Sequence, residues 1–173
     1  MKRPLTALVL SLLGGVTALA SSQELSPGVL EYVAVIGPEI ALTNVRIVDG
    51  TGAPAVEDQT ILIRDGRIVA IDDAGSVPMS MDTEVVDLAG HTVIPGLVGV
   101  HDHSYYTTSV RAVQMSYTGP RLYLAAGVTT IRTTGSQEPY ADINLKRAIE
   151  AGQVPGPRMF VTGPYLTGEH GSM

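Results

Sequence analysis

Short runs of alternating hydrophobic and polar residues dominate the chain between about residues 40 and 93. Alternation of this kind is typical of β-strands that bury one face. We expect strands over 41–48, 60–64, 67–71, 84–87 and 91–93. Asp65 and Gly66 lie between two of these runs and predict a type I′ hairpin turn, in which both central residues have positive φ. The pattern therefore predicts a small antiparallel sheet, preceded by one further strand over 29–36.

The spacing of apolar residues changes after His103. From 107 to about 126 it is helical, with a break at Gly119-Pro120, and a second helix is predicted over 139–151. Strands are predicted over 128–132 and 159–162. Strands that alternate with helices of this length are typical of a parallel sheet with helical crossovers, so the second half is predicted to be α/β in the order βαβαβ.

The run 93–103 joins these two halves and carries the strongest chemical signal. It is apolar and rich in β-branched residues, which favours a buried strand of a parallel sheet. Because side chains alternate along a strand, His101 and His103 are predicted to share one face, with Asp102 on the other face in a structural role. Two adjacent imidazoles can fill two positions on a transition metal, whereas a catalytic zinc takes about three protein ligands. The alternative, an ordinary pair of loop histidines, is disfavoured by the strand context.

The first 20 residues have the features of a secretory signal peptide. Lys2 and Arg3 precede an apolar stretch, and Ala18-Leu19-Ala20 forms a small-x-small cleavage pattern. A membrane anchor is the alternative, which the shortness of the stretch disfavours. We therefore expect an exported protein, periplasmic or secreted, without a stable membrane anchor.

Charge and cysteine content narrow the partners and the metal ligands. Without residues 1–20 the chain has nine basic and 17 acidic residues, a net charge of −8. An acidic protein is repelled by phosphate backbones, so nucleic acid is not expected as a partner. The chain has no cysteine, which leaves His, Asp and Glu as the expected ligands of any metal.

Several segments, taken in order, resemble the amidohydrolase superfamily, within it the branch related to imidazolonepropionases and metal-dependent dipeptidases. These segments are 42–50, 64–68, 93–103, 127–132 and 156–158, the third of which contains Pro95-Gly96 and the two histidines. The resemblance begins at about residue 40 and covers the rest of the chain. It implies a small β-sandwich over 40–92, after a lead over 21–39. It further implies that 93–173 contains about three strands of a truncated TIM-like (β/α)8 barrel.

The same resemblance implies a site and an activity. His101 and His103 correspond to ligands of a divalent metal, most often zinc, and the proton-shuttle aspartate is expected beyond the C-terminus. The implied reaction is hydrolysis of a carbon–nitrogen bond in a small amide, cyclic amide or dipeptide by a metal-activated water. The alternative is a truncated, inactive fragment or a non-enzymatic binding module, because two histidines are only part of a ligand set.

Three further residues follow the predicted strands and are candidates for substrate binding: Tyr105, Arg132 and His170. Each has a structural interpretation as well, namely packing for Tyr105, a salt bridge for Arg132 and a solvated tail for His170. Finally, three parallel strands leave an uncovered sheet edge, which predicts self-association or a missing C-terminal part.

Overall fold

The computed structural model describes residues 24–107, 110–166 and 168, which form three helices and ten strands. In chain order they are α1 (Pro27–Leu30), β1 (Glu39–Ile47), β2 (Val56–Arg64), β3 (Arg67–Asp73), β4 (Glu84–Asp87), β5 (Thr92–Val93), β6 (Leu97–Asp102), β7 (Tyr105–Thr107), β8 (Ala112–Gln114), α2 (Thr118–Ala125), β9 (Val128–Thr133), α3 (Pro139–Glu150) and β10 (Arg158–Phe160). None of the helices in these ranges combines the length and apolar character that a membrane span requires. The predicted signal peptide, 1–20, lies outside the described residues.

The first sheet has the strand order β3-β2-β1-β4, with β5 also paired to β1. The predicted hairpin between β2 and β3 is confirmed, since φ is 49° at Asp65 and 71° at Gly66. The prediction of a wholly antiparallel sheet is wrong, because β4 and β5 both run parallel to β1. The hairpin partner β2 occupies one edge of β1, so the chain after β3 crosses over and adds its next strands along the other edge.

The strand predicted over 29–36 is also wrong. This segment begins with the last two residues of the short helix α1, which starts at Pro27, where the fixed φ of proline is favourable, and continues in turns. Ser26 fastens the segment to the turn after α3: its N–H donates to Gly152 O over 2.9 Å and its Oγ to Gln153 O over 3.2 Å. Tertiary docking therefore decides the conformation of this lead.

The second sheet, in the order β10-β9-β6, is parallel throughout and confirms the predicted βαβαβ arrangement. Its core is the contact between β9, α3 and β10, made by Ile131, Leu145 and Met159, each at most 5% exposed. The helices end before Gly127 and Gly152, whose positive φ values suit a helix C-terminus. The α/β class predicted for this half is therefore observed.

Two predictions around β6 are wrong. Residues 107–117 contain no helix among those described; β7 and β8 form a hairpin instead, closed by Met115 N–H donating to Ser104 O over 2.7 Å. The aromatic and β-branched residues of β7 favour this strand conformation. Strand β6 is not buried either, since Val98 and Val100 are 63% and 66% exposed. It lies at one end of the sheet, and among the described strands it pairs with β9 alone, which leaves its other edge open within this part of the chain.

Candidate metal centre

The two predicted metal ligands lie at the carboxyl end of β6, on a cleft of about 870 Å³. Strand β6 carries His101, and His103 follows its last residue. The β7–β8 hairpin forms one wall, and the segments after β9 and β10 contribute Gln137 and Tyr165. The cleft is therefore built where the ends of parallel strands meet, the common position of ligand sites in α/β sheets.

The two imidazoles lie close together in an edge-to-face arrangement. Their ring centroids are 5.5 Å apart and their planes are inclined by 83°. His101 is exposed, whereas His103 is half-buried and its ring lies 4.9 Å from that of Tyr105. Nδ1 of His103 is buried and accepts or donates no hydrogen bond within the described part of the chain. The predicted proximity of the two histidines is thus present, with one ring nitrogen unsatisfied.

Asp102 does not lie apart from the histidines as strand alternation predicts, because its side chain lines the same cleft. Between Gly99 and Asp102 strand β6 advances three residues while β9 advances only two, from Ile131 to Thr133. One extra residue of this kind is a β-bulge, which redirects side chains. Asp102 Oδ2 is buried without a hydrogen-bond partner in the structure as described, and a Cβ placed on Gly99 would lie 2.0 Å from it. Glycine at position 99 is therefore needed for this arrangement.

Tyrosine hydroxyl groups connect the cleft walls. The hydroxyl groups of Tyr105 and Tyr165 are 2.8 Å apart and hydrogen-bonded. Burial, and then this hydrogen bond, raise the pKa of Tyr105 to about 12. Tyr123 donates its hydroxyl to His103 O over 3.1 Å. Burial, followed by the negative charge of Asp102, raises the pKa of Tyr123. With their pKa values raised, Tyr105 and Tyr123 stay protonated at neutral pH and can act as hydrogen-bond donors.

The other candidate residues have different positions. Tyr105 lines the cleft beside His103, where a substrate-binding role and a packing role are both compatible with its contacts. Arg132 is exposed, and its Nη1 donates to Val100 O over 3.3 Å, so it bridges β9 and β6. The described residues that line the cleft do not include Arg132. His170 lies outside the described residues.

Sequence reasoning missed the buried residue Asp142. It lies in the first turn of α3 with 0% of its surface exposed. Oδ1 accepts hydrogen bonds from Ser104 Oγ and, over 3.1 Å, from Gln114 Nε2. The available signal was its spacing from Leu145 and Ile149, which places a carboxylate in the apolar stripe of an amphipathic helix.

The donor set fits two coordination positions of a metal and no more. Within ranges 24–107, 110–166 and residue 168, no group of three or more His, Cys, Asp or Glu side chains could hold a metal ion. His101 and His103 nevertheless offer imidazole nitrogens, the ligands that zinc and similar ions prefer. The unsatisfied Nδ1 of His103 is compatible with such a bond. A complete site would need further donors in addition to this pair.

Comparison with known proteins shows similarity over part of the chain. No family model matches it. It is 34% identical over 93 residues to an enamidase from Eubacterium barkeri, across 53% of this chain and 24% of that protein. It is 31% identical over 90 residues to a dihydroorotase from Pelotomaculum thermopropionicum, across 52% of this chain and 20% of that one. The matched parts are thus about a quarter or less of the length of these curated relatives.

A solved structure extends the similarity to the fold. A protein described as a prolidase from Bifidobacterium longum superposes with a TM-score of 0.64 and 30% identity. The match covers 80% of this chain and 34% of that one. Enamidase, dihydroorotase and prolidase are names of enzymes that hydrolyse carbon–nitrogen bonds.

Proposed function

Because this chain resembles the amidohydrolase superfamily over part of its length, as its motifs predict, we propose that it is a metal-dependent hydrolase of carbon–nitrogen bonds. The observation that carries the proposal is the adjacent pair of rings of His101 and His103 on the cleft at the carboxyl end of β6. Members of this superfamily typically bind divalent metals. The substrates would be small amides, cyclic amides or dipeptides, and the metal would be zinc.

Each group at the cleft has a role in this proposal. His101 and His103 would hold the metal, which when bound lowers the pKa of a water molecule and polarises a carbonyl group. Tyr123 would restrain the main chain at His103 through its hydrogen bond to the carbonyl oxygen. Tyr105, protonated at neutral pH, can donate to a substrate oxygen or remain bonded to Tyr165.

The proposal includes the surroundings of the site. The first sheet would be part of a β-sandwich, and β6, β9 and β10 would be the first strands of a (β/α)8 barrel. In such barrels active sites lie at the carboxyl ends of the strands, where this cleft is found. We also propose that residues 1–20 direct export of the protein and are then removed. N-terminal sequencing of protein recovered outside the cytoplasm tests this, and an N-terminus at Met1 would contradict it.

The first experiment measures metal binding by the full chain. We expect Co²⁺ and Zn²⁺ to bind, and His101→Ala and His103→Ala to weaken the affinity by about tenfold or more, because each removes a ligand. His91→Ala is the matched control, since His91 lies in the turn before β5, where its ring contacts Ala89 O over 3.3 Å. If neither histidine variant differs from the parent, or if His91→Ala weakens binding equally, the proposed metal centre is wrong.

A second candidate is an inactive fragment or a binding module. The observation in its favour is that, among the described residues, no group of three or more His, Cys, Asp or Glu side chains has the arrangement to hold a metal ion. Assays with a cyclic amide and a panel of dipeptides separate the two candidates. Hydrolysis that requires added metal and His101 supports the enzyme, whereas metal binding without hydrolysis supports the second candidate.

A further inference from the structure

Among the described residues, Asp142 carries a buried carboxylate that has no role in the proposed reaction. It comes from α3, yet both of its hydrogen-bond donors come from the segment that follows the histidines. Ser104 is the residue directly after His103 and is 3% exposed. Gln114 belongs to β8, and its Nε2 also donates to Ser104 Oγ over 2.9 Å. The three side chains therefore form one closed polar cluster.

This cluster connects three elements at the cleft. Asp142 belongs to α3, Ser104 connects β6 to β7, and Gln114 is the last residue of β8. The main chain strengthens the same connection through Met115 N–H and Ser104 O. The position of the chain on the carboxyl side of His103, and of the hairpin that carries Tyr105, is thereby set from α3.

Ordinary packing does not require a carboxylate at this position. Three residues further along α3, Leu145 anchors the helix with an apolar side chain that is 5% exposed. Burial of a carboxylate is unfavourable unless it is hydrogen-bonded, and Oδ2 of Asp142 has no partner among the described residues. Unlike an apolar residue, the carboxylate fixes the positions of specific groups, because its Oδ1 accepts hydrogen bonds from both Ser104 and Gln114.

We propose that Asp142 is a positioning residue of the His101–His103 centre, acting through Ser104 Oγ and Gln114 Nε2 to hold the backbone beside His103. This inference rests on the proposed metal centre, but it has a consequence in the metal-free protein as well. Removal of the carboxylate breaks the connection of Ser104 to α3 and allows the His103 ring to leave its position beside His101.

The experiment compares three test variants, Asp142→Ala, Ser104→Ala and Asp142→Asn, with two control variants in the full chain. Asp142→Ala removes the carboxylate that accepts both hydrogen bonds and leaves the Gln114–Ser104 bond, and Ser104→Ala removes one donor with little loss of volume. Glu150→Gln is the matched control on the same helix, since Glu150 forms an exposed pair with Lys146. Leu145→Ala destabilises α3 but removes none of the hydrogen-bonding groups of the polar cluster. Two quantities are measured: Co²⁺ affinity, and the imidazole ¹H–¹³C resonances of His103 without metal.

We expect Asp142→Ala to weaken Co²⁺ binding by about tenfold, the lower end of the effect of removing groups that orient metal ligands. Ser104→Ala should weaken it less, and Asp142→Asn should recover part of the loss, because its amide oxygen can still accept the hydrogen bonds from Ser104 and Gln114 but without the negative charge that strengthens them. Glu150→Gln and Leu145→Ala, both measured where they are fully folded, should bind like the parent. The His103 resonances should shift in the Asp142 and Ser104 variants only.

Three results would overturn the inference. One is Co²⁺ affinity of Asp142→Ala within twofold of the parent, and another is an equal loss in Leu145→Ala. If Asp142→Ala does not fold, Ser104→Ala decides, and unchanged affinity with unchanged His103 resonances would reject the positioning role. If the parent chain binds no Co²⁺, the metal centre fails, while the His103 resonances of the metal-free variants still test Asp142.

Discussion

Truncation of Ile131 to alanine tests whether the second sheet depends on one small core. Ile131 is 2% exposed at the middle of β9, where it pairs with Gly99 on one side and Met159 on the other. The substitution removes three buried carbon atoms, which at about 0.8 kcal/mol each corresponds to about 2.4 kcal/mol of lost transfer free energy. The cavity left between β9 and α3 adds to this, so the free energy of unfolding should fall by about 3–4 kcal/mol.

The measurement is equilibrium unfolding in urea, monitored by circular dichroism. The free energies of unfolding of the parent and each variant are compared with one common dependence on urea concentration (the m-value). Ile131→Val should cost about 0.5–1.5 kcal/mol, because it removes one carbon atom. Ile68→Ala is the matched control, since it makes the same chemical change at a strand position that is 62% exposed, and it should cost no more than about 1 kcal/mol. A loss below about 1 kcal/mol for Ile131→Ala, or equal losses for the two isoleucines, would refute the reasoning.

Two other predictions concern acid stability and backbone conformation. The hydroxyl of Thr83, the amide of Ser80 and the guanidinium of Arg64 lower the pKa of Glu39 to about 2 from an ordinary value of 4.5. The stabilising contribution of Glu39 should therefore be complete above about pH 4.5 and be lost as the pH falls towards 2. The urea midpoint of Glu39→Gln should show a weaker acid dependence than that of the parent, and parallel profiles would contradict this. Gly135 has a φ of 90°, and a Cβ there would lie 2.2 Å from the Tyr165 ring, so Gly135→Ala should cost about 2 kcal/mol or more. Gly163→Ala, whose added Cβ meets no atom within 4 Å, is the control, and equal unfolding midpoints for the two variants would contradict the predicted cost of a Cβ at position 135.

Local features of the chain predicted a large part of the fold. The Asp65-Gly66 turn, the strands on either side of it and the βαβαβ order all follow from side-chain periodicity and turn preferences within a few residues. The closeness of His101 and His103 follows from their spacing of two residues. The same local rules gave the wrong secondary structure for residues 29–36 and 107–117. In these segments the hydrogen bonds of Ser26 and the closure of the β7–β8 hairpin override weak local preferences.

The sequence by itself therefore determined the order of most elements and the pair of imidazoles, since both depend on neighbours along the chain. Only the tertiary structure decided what surrounds that pair. The bulge in β6 turns Asp102 into the cleft, and the crossover through α3 brings Asp142 to Ser104, 38 residues away. Contacts of this range depend on how sheets and helices pack, and no periodicity in a short window of sequence contains that information.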